Sequence, residues 1–364
     1  MHNDYFKIIS SALRYHRNFE DRIKDVSHIV LFGDFSEEII KKFFAEVPQK
    51  KLLSGAPPIA GCPHAASGAA FEYLTHLPRD TTLICLMEKD SVALSRTIHS
   101  IGFSNIVDLW HPLAATYGNF LRPDLFQKDL EEIFTTLALF HDTTSANAFV
   151  GKLLYFLTLN PLHIQSSTYP EYFHPECSPR PGDIIIDAGA FTGDTVSYIN
   201  SVLGDDCIIH AFEPNPVYYD QLKMLCQKSD KMFANQYGLW SHKQILKFEK
   251  KVGAGSYIVG ARTGKSNETI DINVFSIDDY CLENKIIPTF IKFDVEGAEL
   301  QALQGSKKII AKNKPRMAIS AYHHISDLWK IPLLIKQVQP DYKYALAHHS
   351  NLYPTCDTVL YTYY

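Results

Sequence analysis

Short apolar runs alternate with longer amphipathic stretches along most of the chain, the pattern of strands buried on both faces of a parallel sheet with helices packed between them. Residues 3–24 have the periodicity of a leading helix. A strand follows at His28–Gly33, then a helix over Ser36–Phe44 with Ser36 as N-cap, and a second strand at Lys51–Ser54. Gly55–Pro63 is a loop by composition. A helix over Ala65–Leu77, a strand over Thr81–Met87, a helix over Ser91–Ile101 closing on Gly102, and a strand over Asn105–Leu109 complete the series. The alternation predicts a small doubly wound parallel sheet for residues 1–122. Its first turn offers only Gly33-Asp-Phe35 and no Gly-x-Gly-x-x-Gly, so a structural or contact role is expected rather than nucleotide binding.

Residues 123–165 read as a helical linker, with helices over Pro123–Phe140 and Ser145–Leu159. Ser166–Pro181 holds four prolines and several aromatic residues, and is expected to be a loop at the entrance of a second domain, residues 166–364.

The chemistry concentrates in this second domain. Ile184-Ile-Ile186 predicts a short buried strand that delivers Asp187. Ala188-Gly-Ala-Phe-Thr-Gly193 is a turn in which Gly189 and Gly193 let the backbone bend tightly against a ligand, and Asp194-Thr195 opens a helix. Strand, glycine turn and helix hold nucleotides at the carboxyl edge of parallel sheets. Phosphate binders present an uncrowded helix N-terminus to the anion. Here Asp187 and Asp194 flank the turn, which disfavours a pyrophosphate and suits a cationic cofactor with an amino group and a sulfonium, S-adenosylmethionine. The next strand, Cys207–Phe212, ends in Glu213-Pro-Asn-Pro216. Glu213 follows Gly193 by roughly 20 residues, the separation at which an acidic side chain takes the ribose hydroxyls.

Two further strand ends reach the same edge. Phe290–Phe293 delivers Asp294, with Glu296 in the following turn and Glu299 in the first turn of a helix, where a carboxylate is expected to complement the helix dipole. Arg316–Ala321 delivers Tyr322, His323 and His324. Histidine titrates near neutrality and serves as a general base, and side-chain alternation predicts that one of the pair faces the site. Glu296 and His323 are the candidate bases, with Asp294 orienting acceptor or cofactor. His348-His349 ends a similar strand. No ligand spacing calls for a metal. Tyr169, Tyr172, Phe173, Tyr257, Trp329 and Tyr353 fall in loops where aromatic faces would stack on a sugar.

Composition narrows the partners. The formal charge is -5 over 364 residues, with no basic cluster, which argues against nucleic acid and anionic membranes. The seven cysteines are scattered without a Cys-x-x-Cys pair, the usage of a reducing cytoplasm. The N-terminus lacks a signal-peptide pattern, and no apolar run approaches the ~20 residues of a membrane span. The partner expected is a small-molecule or glycan acceptor, with a homo-oligomer left open.

The ordered set Asp187-Ala-Gly-Ala-Phe-Thr-Gly-Asp-Thr195, Phe212-Glu-Pro-Asn-Pro216, Ser276-Ile-Asp-Asp279 and Ile291-Lys-Phe-Asp-Val-Glu-Gly-Ala-Glu299 resembles the FkbM family of methyltransferases. Ser320-Ala-Tyr-His-His324, Asp327-Leu-Trp329 and Asp357-Thr-Val-Leu-Tyr361 extend the resemblance, which runs from about Tyr169 to the end. It implies an α/β class I methyltransferase fold, Rossmann-like with a seven-stranded sheet, preceded here by the smaller Rossmann-like α/β domain. It implies S-adenosylmethionine as donor and O-methylation of a sugar, glycan or polyketide-type hydroxyl. By the family pattern, Asp187, Gly189, Gly193 and Thr195 cradle the methionine part, and Ala190, Asp194 and Pro214 belong to the same cofactor site. Glu213 holds the ribose, and Asn215 with Asn235–Trp240 borders the adenine. Gly238 stands where many methyltransferases place a polar adenine contact. The rival readings are a nicotinamide-dependent oxidoreductase, which the missing Gly-x-Gly-x-x-Gly disfavours, and a non-catalytic S-adenosylmethionine-binding protein.

Overall fold

The computed structural model describes residues 2–14, 29–32, 78–79, 81–85, 90–108, 123–249, 257–258 and 269–364. They form two compact units. The first runs through Leu137, with Thr143–Ser166 and Ser350–Cys356 added; the second comprises Ala138–Asp142, Ser167–His349 and Asp357–Tyr364.

In the first unit, α1 (His2–Arg14), β1 (Ile29–Phe32), β2 (Thr82–Cys85), α2 (Ser91–Ser100) and β3 (Ile106–Asp108) are followed by α3 (Pro123–Lys128), α4 (Leu130–Leu137) and α5 (Thr143–Thr158). The strands pair in parallel in the order β1-β2-β3. The helices expected over 36–44 and 65–77 and the strand over 51–54 lie outside the described residues, as does the leading helix beyond Arg14. The single helix expected over Pro123–Phe140 is two, broken at Asp129. Gly102 closes α2 at φ 103°, a conformation that favours glycine.

The second unit carries the large sheet. Its strands are β4 (Ile184–Ala188), β5 (Ile208–Phe212), β6 (Met232–Asn235), β11 (Phe290–Phe293), β12 (Arg316–Ser320), β13 (Lys343–His348) and β14 (Thr358–Tyr363), in the order β13-β14-β12-β11-β4-β5-β6. All neighbours are parallel except β14, which runs against both β12 and β13. The direction of winding reverses between β4 and β11, so the crevice beyond their carboxyl ends is where an open α/β sheet binds ligands.

Sequence dictates how the helices seat. Helix α6 (Asp194–Leu203) and α7 (Pro216–Cys226) bury Val196, Ile199 and Leu222 against Ile185 and Ile209 of the sheet. Gly193, at φ 91°, precedes α6; a Cβ there would lie 2.4 Å from Leu225 Cδ2, so the residue permits close packing of α6 on α7. Asn215 caps α7, its Oδ1 accepting from Val217 N at 3.0 Å, and Pro216 takes the first helical position. The motif at 276–279 is likewise architectural. Ser276 Oγ accepts from Asp279 N at 3.0 Å to cap α8 (Ile277–Asn284), and Asp278 accepts from Lys308 N and Ile309 N at the start of α10 (Lys307–Asn313).

A second sheet, absent from the sequence expectations, holds β7 (Gly238–Leu239), β10 (Thr269–Phe275), β8 (Gln244–Glu249) and β9 (Tyr257–Ile258) in that order. The signal is present in Thr269-Ile-Asp-Ile-Asn-Val-Phe275, where polar and apolar residues alternate with period two.

Candidate functional site

A cavity of about 410 Å³ opens at the carboxyl ends of β4, β5 and β11, within the usual size range of small-molecule sites. The turn after β4 forms one wall. Gly189 sits at φ 82°, and a Cβ on it would lie 1.8 Å from the carbonyl oxygen of Asp294, so only glycine lets the β4 and β11 turns approach this closely. Gly189 N and Ala190 N both donate to Phe212 O, tying the turn to the end of β5.

Glu213 is fixed at that junction. Its Oε2 accepts from Phe191 N at 3.0 Å and its Oε1 from Asn215 N at 2.7 Å, and the side chain faces the cavity. Burial pushes its carboxyl up to about 7, against the two backbone donors, which favour the ionised form. Phe191 packs on Tyr218 beside it, with ring centroids 4.3 Å apart. Pro214, Tyr237, Gly238 and Leu239 complete this end.

The opposite end is acidic. Glu171, Asp294, Glu296 and Asp357 all line the cavity. Asp294 Oδ2 accepts from Tyr172 Oη at 3.1 Å and Oδ1 from Tyr322 Oη at 3.3 Å. Burial, reinforced by Asp357 and Asp294, raises the Glu171 carboxyl to about 8. Beneath this wall lies Lys292, whose Nζ is 2.9 Å from Asp187 Oδ1, donates to Gly189 O at 2.8 Å, and lies 5.2 Å from the centre of the Tyr172 ring. Burial opposes the charge on Lys292, but Asp187 and Asp294 outweigh it and keep the ammonium protonated.

Backbone strain gathers here. Tyr172 (φ 64°), Phe191 (φ 48°), Glu296 (φ 56°) and Asp357 (φ 51°) are four of the eight non-glycine residues with positive φ among those described, and all four line the cavity. Such conformations persist where surrounding structure enforces them, and they cluster at ligand sites.

Behind Asp294 and Glu296 sits His323, its side chain fully buried. Nδ1 lies 2.9 Å from Glu299 Oε1, and Nε2 lies 3.4 Å from Glu296 Oε2 and 3.7 Å from Asp294 Oδ1. Burial alone would lower the imidazole pKa, but Glu299 and Glu296 raise it well above the ordinary value. Glu299 does stand in the first turn of α9 (Glu299–Gln304), yet it does more than complement a dipole. It is buried, it faces His323, and its Oε1 accepts from Val295 N at 2.9 Å. Asp327, at the start of α11 (Asp327–Val338), is buried in the same region, and its carboxyl is raised to about 8, chiefly by burial and then by Glu299.

Of the sequence-derived site residues, Gly189, Asp194, Thr195, Glu213, Pro214, Gly238, Asp294 and Glu296 line the cavity. Asp187, Ala190, Gly193, Asn215 and His323 do not: they lie under or behind its wall and shape it. The free negative charge expected of Asp187 is absent, because Lys292 neutralises it and the side chain is buried. Tyr322 borders the cavity and His323 faces the acidic residues behind it, so consecutive residues both point inward; they follow β12 in a loop, where strand alternation no longer holds. Among the aromatic candidates, Tyr172 and Phe173 line the cavity. Trp329 is fully buried in the core of its unit. Tyr169 packs edge-on against Tyr361 and His349, and Tyr353 belongs to the first unit. The Tyr257 side chain lies outside what is described. Sequence reasoning missed Lys292, Glu171 and Asp357; a lysine within the apolar strand Phe290–Phe293 was the available signal for the first, since a charge there must be paired.

Residues 187–349 match the family model of the methyltransferase FkbM domain. The solved structure of methyltransferase FkbM from Methylobacillus flagellatus KT aligns over 100% of this chain and 99% of its own, with a TM-score of 0.66 and 20% identity, and shares the fold. More distant are fibrillarin from Aeropyrum pernix, solved with S-adenosyl-L-methionine bound (TM-score 0.33, 12% identity, 50% of this chain and 67% of that one), and a putative rRNA methylase from Clostridium thermocellum (TM-score 0.32, 12% identity, 50% and 86%). No curated protein matches the chain. Among the described residues no helix is long and apolar enough to cross a membrane. Over residues 187–349, then, the chain is similar to the FkbM domain of methyltransferases.

Proposed function

We propose that the cavity binds S-adenosylmethionine and that the domain, residues 166–364, transfers its methyl group to a hydroxyl oxygen of a sugar, glycan or related metabolite. The observation that carries this reading is Glu213. Its two oxygens are each held by a backbone N–H, which fixes the carboxylate at the cavity wall with lone pairs left for a ribose diol. The acidic end, Glu171, Asp294, Glu296 and Asp357, suits the cationic ammonium and sulfonium of the same molecule. The cofactor supplies an electrophilic methyl group. The protein's own work is to align the acceptor, exclude water and accept one proton.

Glu296 is the group assigned to that proton. It lines the cavity on a turn whose strained backbone aims it, whereas His323 is fully buried behind Glu296 and Asp294 and does not line the cavity, so an acceptor there does not reach it. His323 and Glu299 instead position Glu296 and Asp294. The tyrosines around the cavity, Tyr172, Tyr198, Tyr218 and Tyr322 among them, offer faces and hydroxyls that fit a sugar ring.

The test is calorimetric titration with S-adenosylhomocysteine, and separately with NAD and NADP. Binding of the first alone, abolished in Glu213→Ala, is expected. Binding of a nicotinamide nucleotide without S-adenosylhomocysteine would sink the reading.

A further inference from the structure

We propose that Asp294, Glu296 and His323 form a site for a divalent cation at the edge of the cavity, with Glu299 orienting the histidine. Three observations meet there. Ligand atoms of Asp294, Glu299 and His323 lie within 4.8 Å of one another. Both ring nitrogens of His323 are fully buried and neither makes a hydrogen bond; Nε2 points at Asp294 Oδ1 and Glu296 Oε2, 3.7 and 3.4 Å away. Two donors each about 2.1 Å from one ion stand about 3.0–3.4 Å apart, so a cation between these atoms needs only a small inward shift. Glu299 Oε1, 2.9 Å from Nδ1, stands beside the ring nitrogen that faces away from the proposed ion, where metal-bound histidines commonly meet a carboxylate.

The donor set gives the ion's class. One imidazole and two carboxylates are mostly oxygen and contain no thiolate, which selects a hard divalent ion of the Mg²⁺ or Mn²⁺ type. The side chains of Asp294 and Glu296 keep 23% and 25% exposure and line the cavity, so the remaining coordination positions face it. Those positions fit water or the oxygens of a chelating acceptor, such as two adjacent hydroxyls. Glu296 would bind through Oε2 and keep Oε1 for the acceptor proton. What the ion would hold rests on the methyl-transfer reading; whether the ion binds does not.

The experiment titrates Mn²⁺ into the EDTA-stripped full chain and follows free Mn²⁺ by electron paramagnetic resonance, with S-adenosylhomocysteine binding measured on the same preparation in EDTA. One Mn²⁺ per chain is expected, weakened at least tenfold in Glu296→Gln and in Asp294→Asn, and about 10–100-fold in Glu299→Gln. Glu296 is part-exposed, so its variant is the one least prone to misfolding, and circular dichroism checks each. No Mn²⁺ bound at millimolar concentration, or binding that Glu296→Gln and Asp294→Asn leave unchanged, overturns the proposal. If S-adenosylhomocysteine binds while Mn²⁺ does not, the cation site falls and the methyltransferase reading stands. If Mn²⁺ binds with the expected losses while S-adenosylhomocysteine does not, the site stands and the cofactor reading falls.

Discussion

Two ion pairs bracket strand β4, and they are built differently. At the amino end Asp183 meets Arg316 Nη2 at 2.6 and 2.8 Å, and also accepts from Thr289 Oγ1 at 2.7 Å and Arg180 N at 2.6 Å. Both of its oxygens are engaged, and the arginine keeps contact with solvent. At the carboxyl end Asp187 meets Lys292 through one oxygen at 2.9 Å, its other oxygen has no partner, and the pair is all but sealed from water, at 3% and 0% exposure. The first is a staple between strand ends. The second is an electrostatic compromise directly under the cavity, since a buried pair with an orphaned lone pair recovers little of its desolvation cost. The difference teaches where in this sheet charge is kept for stability and where it is kept to shape a site. Lys292 also holds the Gly189 carbonyl, so it joins Asp187 to the turn that lines the cavity.

The sharpest way to break that contrast is Lys292→Met. It leaves Asp187 buried without a counter-charge and is expected to cost about 3–5 kcal/mol in urea unfolding. The double variant Asp187→Leu with Lys292→Met is expected to recover most of that stability, because an apolar pair of similar volume replaces a poorly solvated ionic one. Binding of S-adenosylhomocysteine is expected to stay lost. Full recovery of binding would show that the pair plays no part in shaping the turn.

Arg316→Met should cost less, about 1–3 kcal/mol, because Asp183 retains the Thr289 hydroxyl and the Arg180 N–H. S-adenosylhomocysteine affinity is expected to be unchanged, since this end of the strand is remote from the cavity. A loss equal to that of Lys292→Met, or a fall in affinity, would erase the distinction between staple and site.

The same asymmetry explains what the sequence revealed. Ile184–Ile186, the glycine turn and Glu213 were legible because backbone geometry and strand endings leave local signatures: an apolar run, glycines where φ is positive, and an acid at a fixed separation. Asp294 and Glu296 were legible for the same reason. The partners of these residues were not. Nothing near Asp187 in sequence announces that Lys292, a strand away, will neutralise it, and nothing near His323 announces Glu299. Such pairings are decided by sheet register, here Lys292 opposite Asp187, which a single sequence does not state. Glu171 and Asp357 were hidden differently, on segments flanking the sheet that reach the cavity only through the fold. The small sheet β7-β10-β8-β9 was missed although β10 alternates cleanly.

The last expectation concerns pH and the Glu213 carboxyl, raised to about 7 by burial. In the unligated protein the folded state holds a proton that the unfolded state releases near the ordinary value of about 4.5. The group's contribution to stability is therefore complete below about 4.5 and is lost as pH rises through about 7. Ligand affinity runs the other way. A ribose diol donates to the ionised carboxylate, so binding must first expel the proton at low pH. S-adenosylhomocysteine affinity is expected to rise about fivefold between pH 6 and 7, equivalent to about 1 kcal/mol, and to level off above pH 8. The groups acting on Glu213 are Lys292, which favours the charge, and Asp187, which opposes it. Glu171, raised to about 8 in the same cavity, titrates nearby and would add a second rise through contact with a cationic ligand. Glu213→Gln separates the two. In that variant affinity is weakened at every pH, and any slope that remains centres near 8 and belongs to Glu171. A Glu213→Gln variant that kept both the wild-type affinity and the rise around pH 7 would remove this carboxylate from the ribose and, with it, the observation on which the cofactor assignment stands.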